Sequence, residues 1–105
     1  MKKKLFNKLI RDNIIEKIKD EGRTPNYRIL ENDEFAVKLN QKLLEEVNEF
    51  IESNAIEELA DVFEIMLKIM EINNTNFDEV EKVRKKKKCE NGGFEKRICL
   101  IDITE

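Results

Sequence analysis

The chain has 105 residues, enough for one domain with a modest core and too few for two. It is 41% charged, but 23 acids against 20 bases leave a net charge of only −3, so no whole-molecule field points to nucleic acid or a membrane surface. Histidine is absent, which excludes Ser/His/Asp and Cys/His nucleophile pairs and His-ligated zinc; carboxylates, lysines or a hard metal ion must carry any catalysis. No apolar run approaches a membrane span, and the basic start MKKKLFNKLIRD lacks the apolar core of a signal peptide, so the expected address is cytoplasmic with no membrane partner. Cys89 and Cys99 show no metal-site spacing and are expected as free thiols.

In chain order, residues 7–21 place Leu9, Ile10, Ile14, Ile15 and Ile18 at helical spacing, with Gly22 as a stop. The run Tyr27 to Leu30, after a Thr-Pro-Asn turn, is a short β-prone segment. A second helix is expected from Asn32 or Asp33, either able to cap it, to about Glu52, with Phe35, Leu39, Leu43, Val47 and Phe50 on one stripe. Asn54 with Glu57 resembles a capping box opening a third helix that runs to about Ile72. A fourth helix is expected from about Asn76 to Lys88, closed by Asn91, Gly92 and Gly93. The tail KRICLIDIT is β-prone and could pair with the Tyr27 to Leu30 run. The expected fold is therefore all-α: a single domain over residues 1–105, four-helix bundle-like around a central antiparallel helical hairpin, with a minor two-stranded β appendage as an option.

The acids of the second and third helices sit where apolar residues are expected. At about 100° per residue, the apolar positions of the third helix cover roughly 200° of its wheel, with Glu58 inside that arc and Asp61 at its edge. In the second helix Glu46 and Glu49 flank the apolar stripe, while Glu45 points largely away. Because the connection is short, the two helices are antiparallel neighbours: Glu49 is expected opposite Glu58, and Glu46 opposite Asp61, at levels about 4.5 Å apart. Four carboxylates so close and partly desolvated destabilise the fold unless a cation lies among them. An oxygen-only ligand set favours Mg²⁺, with Mn²⁺ as a substitute, and Mg²⁺ recruits substrate phosphates to complete its octahedron. A solvated helix face is the plainer reading of any single E-x-x-E.

The segments EEVNE (Glu45 to Glu49) and ELAD (Glu58 to Asp61) resemble the E-E-x-x-E and E-x-x-D signature of the all-α nucleoside triphosphate pyrophosphohydrolases, the MazG-like group that includes phosphoribosyl-ATP pyrophosphohydrolase. The flanking FNKLIRD, KLLEEVNEF, EELADVFEI and NGGFEKRI resemble, in order, a phosphoribosyl-ATP-pyrophosphohydrolase-like branch, so the likeness spans nearly the whole chain. It implies an all-helical, usually oligomeric protein that cleaves a nucleoside triphosphate or phosphoribosyl-ATP-like nucleotide between the α- and β-phosphates, with Glu46, Glu49, Glu58 and Asp61 holding Mg²⁺. The chain departs from the pattern in two places. Only eight residues separate Glu49 from Glu58, and Asn13 and Ile15 stand where Lys and Pro are expected after NKLIRD.

Glu46 or Glu49 is the expected general base. Lys8 and Arg11, three apart on the first helix, suit either a phosphate clamp or pairing with surface acids. Lys96 and Arg97 follow the two glycines of NGGF, where backbone and cations can approach an anion or simply turn. The run Arg84 to Lys88 has no interleaved aromatics and reads as a solvated helix end rather than a nucleic-acid patch, though Lys86 or Lys87 remains a candidate phosphate contact. The competing class is a non-catalytic divalent-ion-binding helical oligomer or regulatory module. The wide apolar arc of the third helix exceeds what one hairpin can cover, so a homodimer or higher homo-oligomer is expected.

Overall fold

The computed structural model describes residues 2–105. Four helices follow in order: α1 (Ile14–Asp20), α2 (Asn32–Ser53), α3 (Ile56–Ile72) and α4 (Phe77–Asn91). Among the described residues there is no strand: neither Tyr27 to Leu30 nor the tail is paired, and both lie as irregular chain. An isolated two-stranded pair is marginal in water, and Arg28 in the first of these runs is engaged elsewhere, forking onto Glu34 at 2.7 and 2.5 Å. That fork holds the Glu34 carboxyl below its usual range and raises the Arg28 guanidinium, and it ties the approach segment to the first turn of α2.

The first helix is shorter than the periodicity over residues 7–21 suggests. Asn7 takes a left-handed φ of 47°, which breaks any helix there, and a turn from the Ile14 amide to the Arg11 carbonyl precedes α1. The preceding segment is instead tethered to the hairpin by its cations, Lys8 to Glu45 and Arg11 to Asp61. Gly22, at φ +78°, does close the helix, since a left-handed residue there is cheapest without a Cβ.

Asn54 has a different job from the one its sequence context suggests. It sits left-handed at φ 54° as the C-cap of α2, its amide donating to the Phe50 carbonyl at 2.7 Å, so it cannot also open α3. The N-cap of α3 is Ala55, whose amide donates to Ser53 Oγ at 3.1 Å. Likewise Glu31, rather than Asn32 or Asp33, is the N-cap of α2, without a side-chain capping bond; Asp33 and Glu34 instead lie in its first turn, where their charge favours the helix dipole. Asn76 caps α4, accepting the Glu79 amide at 2.9 Å. That helix runs on to Asn91 before Gly92, at φ +85°.

α2 and α3 pack along one another as the antiparallel hairpin, and no other pair of helices does so to a comparable extent. Their seam holds the buried apolar residues, Leu39 and Ile65, with Leu43, Phe50, Val62 and Ile69 half-buried around them. α4 reaches away from this body and touches it chiefly through Phe77, whose ring lies 6.1 Å from that of Phe63. The chain is consequently long, 66 × 31 × 26 Å, with a radius of gyration of 19.0 Å. A compact chain of this length would have about 13 Å. No helix among the described residues is long and apolar enough to cross a membrane, and both cysteines are free and exposed. With so small a seam each buried side chain matters: Leu39→Ala should lower the unfolding free energy by about 2–5 kcal/mol, measured as a fall in the urea midpoint at unchanged slope.

Candidate metal centre

The hairpin brings acids from both helices together. One carboxylate oxygen each from Glu46, Glu58 and Asp61 lie within 4.8 Å of one another, and so do oxygens from Glu45, Glu46 and Glu49. Glu46 belongs to both groups and is the pivot of the cluster. It is also the one buried charged residue among those described, 6% exposed. The expected pairing of Glu46 with Asp61 is therefore met, and Glu46 also reaches Glu58. Glu45, expected to point away, instead joins the cluster's outer side. On a wheel it lies one position round from Glu46, and the long glutamate side chain spans that offset.

Three cations stand around the acids. Lys42 Nζ lies 3.1 Å from Glu46 Oε1 and 4.0 Å from Glu45 Oε1. Lys8 donates to Glu45 Oε1 at 3.1 Å, and Arg11 to Asp61 Oδ1 at 2.8 Å. Lys8 and Arg11 thus reach the site, although through an extended segment rather than a helix face. Lys42 was not among the candidates from sequence; its signal was the i,i+4 spacing to Glu46, which is common enough on helices to pass unnoticed. Lys86 pairs within its own helix with Glu90 at 3.9 Å, and Lys96 and Arg97 lie in the exposed chain beyond α4. Among the described residues nothing ties these last three to the acids.

The remaining electrostatic strain falls on two atoms. Glu46 Oε2 is buried and has no hydrogen-bond partner, a condition that costs about 1–3 kcal/mol for a neutral group and more for a charged one. The Glu49 carboxyl is held above its ordinary value, first by the side chain of Glu46 close beside it and by that group's charge, then by desolvation and by Glu58. A shared proton and a bound cation are the two ways to relieve such a set, and each would also satisfy the orphaned oxygen. The donor set fits a hard divalent ion: it is all oxygen, from two facing helices, with one ligand atom desolvated.

Beside the acids lies a small cavity of about 50 Å³ lined by Lys8, Leu9, Lys38, Gln41, Lys42 and Glu45. Three of those six are lysines, so positive charge stands next to the carboxylates on the N-terminal side of α2. Lys38 also donates to the Asn7 carbonyl at 3.1 Å, which helps hold the N-terminal segment over the hairpin. Comparison with models of protein families, with curated proteins and with solved structures gives no match for this chain.

Glu49 makes a pH prediction. Its folded pKa lies above the ordinary 4.5, so its contribution to stability is present below that value and is lost as pH rises through the raised pKa. Glu34, held low by Arg28, slopes the other way, so the comparison must be with a variant. In metal-free protein Glu49→Gln should melt higher than the unmodified chain at neutral pH, the two curves converging as pH falls below 4.5. A variant that melts lower at neutral pH would overturn the repulsive role assigned to this group.

Proposed function

We propose that this chain is a Mg²⁺-dependent nucleotide pyrophosphohydrolase that cleaves a nucleoside triphosphate, or a phosphoribosyl-ATP-like nucleotide, to nucleoside monophosphate and pyrophosphate. The observation that carries the reading is Glu46, a buried carboxylate with one oxygen unpartnered, set among Glu49, Glu58 and Asp61 from two facing helices. Burying a charge and leaving it half satisfied is expensive in a chain with so little core, and a ligand site gives it a purpose. Glu46, Glu49, Glu58 and Asp61 would hold Mg²⁺, with Mn²⁺ as a substitute. Bound there, the ion supplies positive charge against the phosphates and lowers the pKa of a coordinated water.

The chain's own groups supply the rest. Glu49, or Glu46 beside it, would take the proton of the attacking water. Lys8 and Arg11 exchange Glu45 and Asp61 for phosphate oxygens, and the lysine-lined cavity offers Lys38 and Lys42 to the same phosphates. The sequence has no histidine and offers no nucleophile with an evident activating partner, which suits direct attack by water positioned against the α-phosphorus. The choice of the α- over the γ-phosphorus comes from the family resemblance of EEVNE and ELAD.

The ion pairs from Lys8, Arg11 and Lys42 favour a second reading, in which the acids form a charge network or bind an ion without catalysis. A panel of nucleotides incubated with Mg²⁺ separates the two. Pyrophosphate should appear with at least one nucleotide, and in ¹⁸O-labelled water the label should enter the monophosphate; label in orthophosphate with nucleoside diphosphate as product would assign a different bond. Mg²⁺ should raise the melting temperature by ligand linkage. Asp61→Asn should remove that rise and the turnover while leaving the helical signal intact. Arg11→Ala, which frees Asp61 of a competing cation, should keep the rise but increase KM on the order of tenfold, the loss of one charge-assisted hydrogen bond.

A further inference from the structure

The acid cluster leaves the basic end of the chain without a role. Residues 82–97 hold eight lysines and arginines against two acids, Glu90 and Glu95, a net charge of +6 in a chain whose total is −3. Every residue in that span is exposed. Arg84 pairs with Glu81, and Lys86 with Glu90 at 3.9 Å. Among the described residues Lys82, Lys85, Lys87, Lys88, Lys96 and Arg97 make no ion pair. The helix dipole accounts for little of this charge: because α4 runs on to Asn91, Lys88 is the one base in its last turn. Packing accounts for none of it, since α4 meets the hairpin chiefly through Phe77 at its other end.

At about 100° per residue, the cations from Lys82 to Lys88 surround α4 with no gap between neighbours wider than about 100°. A helix that lies on a membrane keeps an apolar face opposite its cations; α4 has none along this stretch, where Val83 is the last aliphatic residue. A flat acidic protein surface would meet only one side of such a helix, whereas a flexible polyanion can bend round it. Beyond the helix, Gly92 at φ +85° and Gly93 turn the chain. Phe94 follows at 95% exposure, the most exposed of the large apolar side chains described. The Arg97 amide donates to the Phe94 carbonyl at 3.2 Å, closing a turn in which Phe94, Lys96 and Arg97 stand together. The lysine run itself contains no aromatic, and this turn supplies one just past its end. An aromatic face in water between two groups of cations suits a ligand with a charged backbone and flat groups that stack.

We propose that the far end of α4 and its glycine turn bind a single strand of nucleic acid. Lys82, Lys85, Lys87 and Lys88 follow the phosphates, Phe94 stacks on a base, and Lys96 and Arg97 hold the phosphates beside that base. The helix rises about 14 Å from Lys82 to Asn91, room for about four phosphates at the 3.4 Å rise of a strand. A base inside a duplex offers Phe94 no free face, so a duplex engages the cations alone. The proposal rests neither on metal binding nor on hydrolysis.

Fluorescence anisotropy of the full chain with a labelled oligothymidylate of about twelve nucleotides, in EDTA, tests it. For about four phosphates on a single strand the log–log salt slope should be about −3, so affinity should fall roughly fifty-fold between 50 and 200 mM salt. Lys85→Gln with Lys88→Gln should flatten that slope by about 1.4, and Phe94→Ala should weaken binding about tenfold at an unchanged slope. Asp61→Asn should bind as the unmodified chain does, which keeps a failure of this surface distinct from a failure of the hydrolase reading. The absence of binding at 50 mM salt overturns the proposal, as does a Phe94→Ala variant that binds as before. Displacement of the strand by a nucleoside triphosphate at equal phosphate concentration also overturns it, since the segment would then be a nucleotide site. Polyphosphate or a duplex held as tightly as the strand leaves Phe94 without a role, and tighter binding to vesicles containing phosphatidylserine assigns the surface to lipid; either result sinks the idea. Should a variant lose helical signal, the salt slope and the duplex comparison on the unmodified chain decide alone.

Discussion

Packing of α2 against α3 sets everything else, because the same seam that buries Leu39 and Ile65 also carries Glu46 into the interior. Burying apolar area stabilises the hairpin at about 25 cal/mol per Å², while a half-satisfied carboxylate in the same seam opposes it. The two effects cannot be separated by repacking, since Glu46 lies seven residues, or two turns, beyond Leu39 on the same line of α2. Any cation that enters the cluster therefore acts on folding.

The surrounding basic residues answer only part of that tension. Lys42 meets one oxygen of Glu46, Arg11 one oxygen of Asp61 and Lys8 one oxygen of Glu45, so each lysine or arginine neutralises the edge of the cluster and leaves its centre acidic. Such an arrangement differs from a surface ion-pair lattice, in which charges alternate and none is desolvated. Local conflict of this kind, kept where the rest of the helix follows ordinary patterning, is the sign of a position selected for something other than stability.

The presence of α2, α3 and α4 and the approximate extents of α2 and α3 are legible in the sequence because long amphipathic periodicity dominates in the hairpin, and the nearness of Glu46 to Asp61 follows from the antiparallel arrangement alone. Less was visible where tertiary contact overrides local preference. Residues 7–13 carry helical spacing but are drawn out by Lys8 and Arg11 onto α2 and α3, and Asn54 closes α2 instead of opening α3 because a two-residue turn needs its left-handed backbone more than its side-chain cap. Glu45 departs from its wheel position because a wheel tracks Cβ direction and takes no account of side-chain length. The tail from Phe94 to Glu105 has β-prone composition without a partner strand, and propensity alone did not produce one.

The turn at Asn54 has a consequence for how such a chain can change over generations. One residue added inside α3 ahead of Glu58, rather than in the turn, would rotate the following positions by about 100° and slide them by about 1.5 Å, carrying Glu58 and Asp61 away from Glu46 while bringing others into their place. Lengthening that keeps the cluster must leave the register of both helices intact, either by looping out wholly beyond the last turn of α2 or by adding whole pairs of turns shared between the helices. Insertions in the α3–α4 connection or after Gly92 face no such restriction. The helical turns between the apex and the acids should accordingly be the least tolerant sites for length variation in this chain, and the segments around α4 the most tolerant.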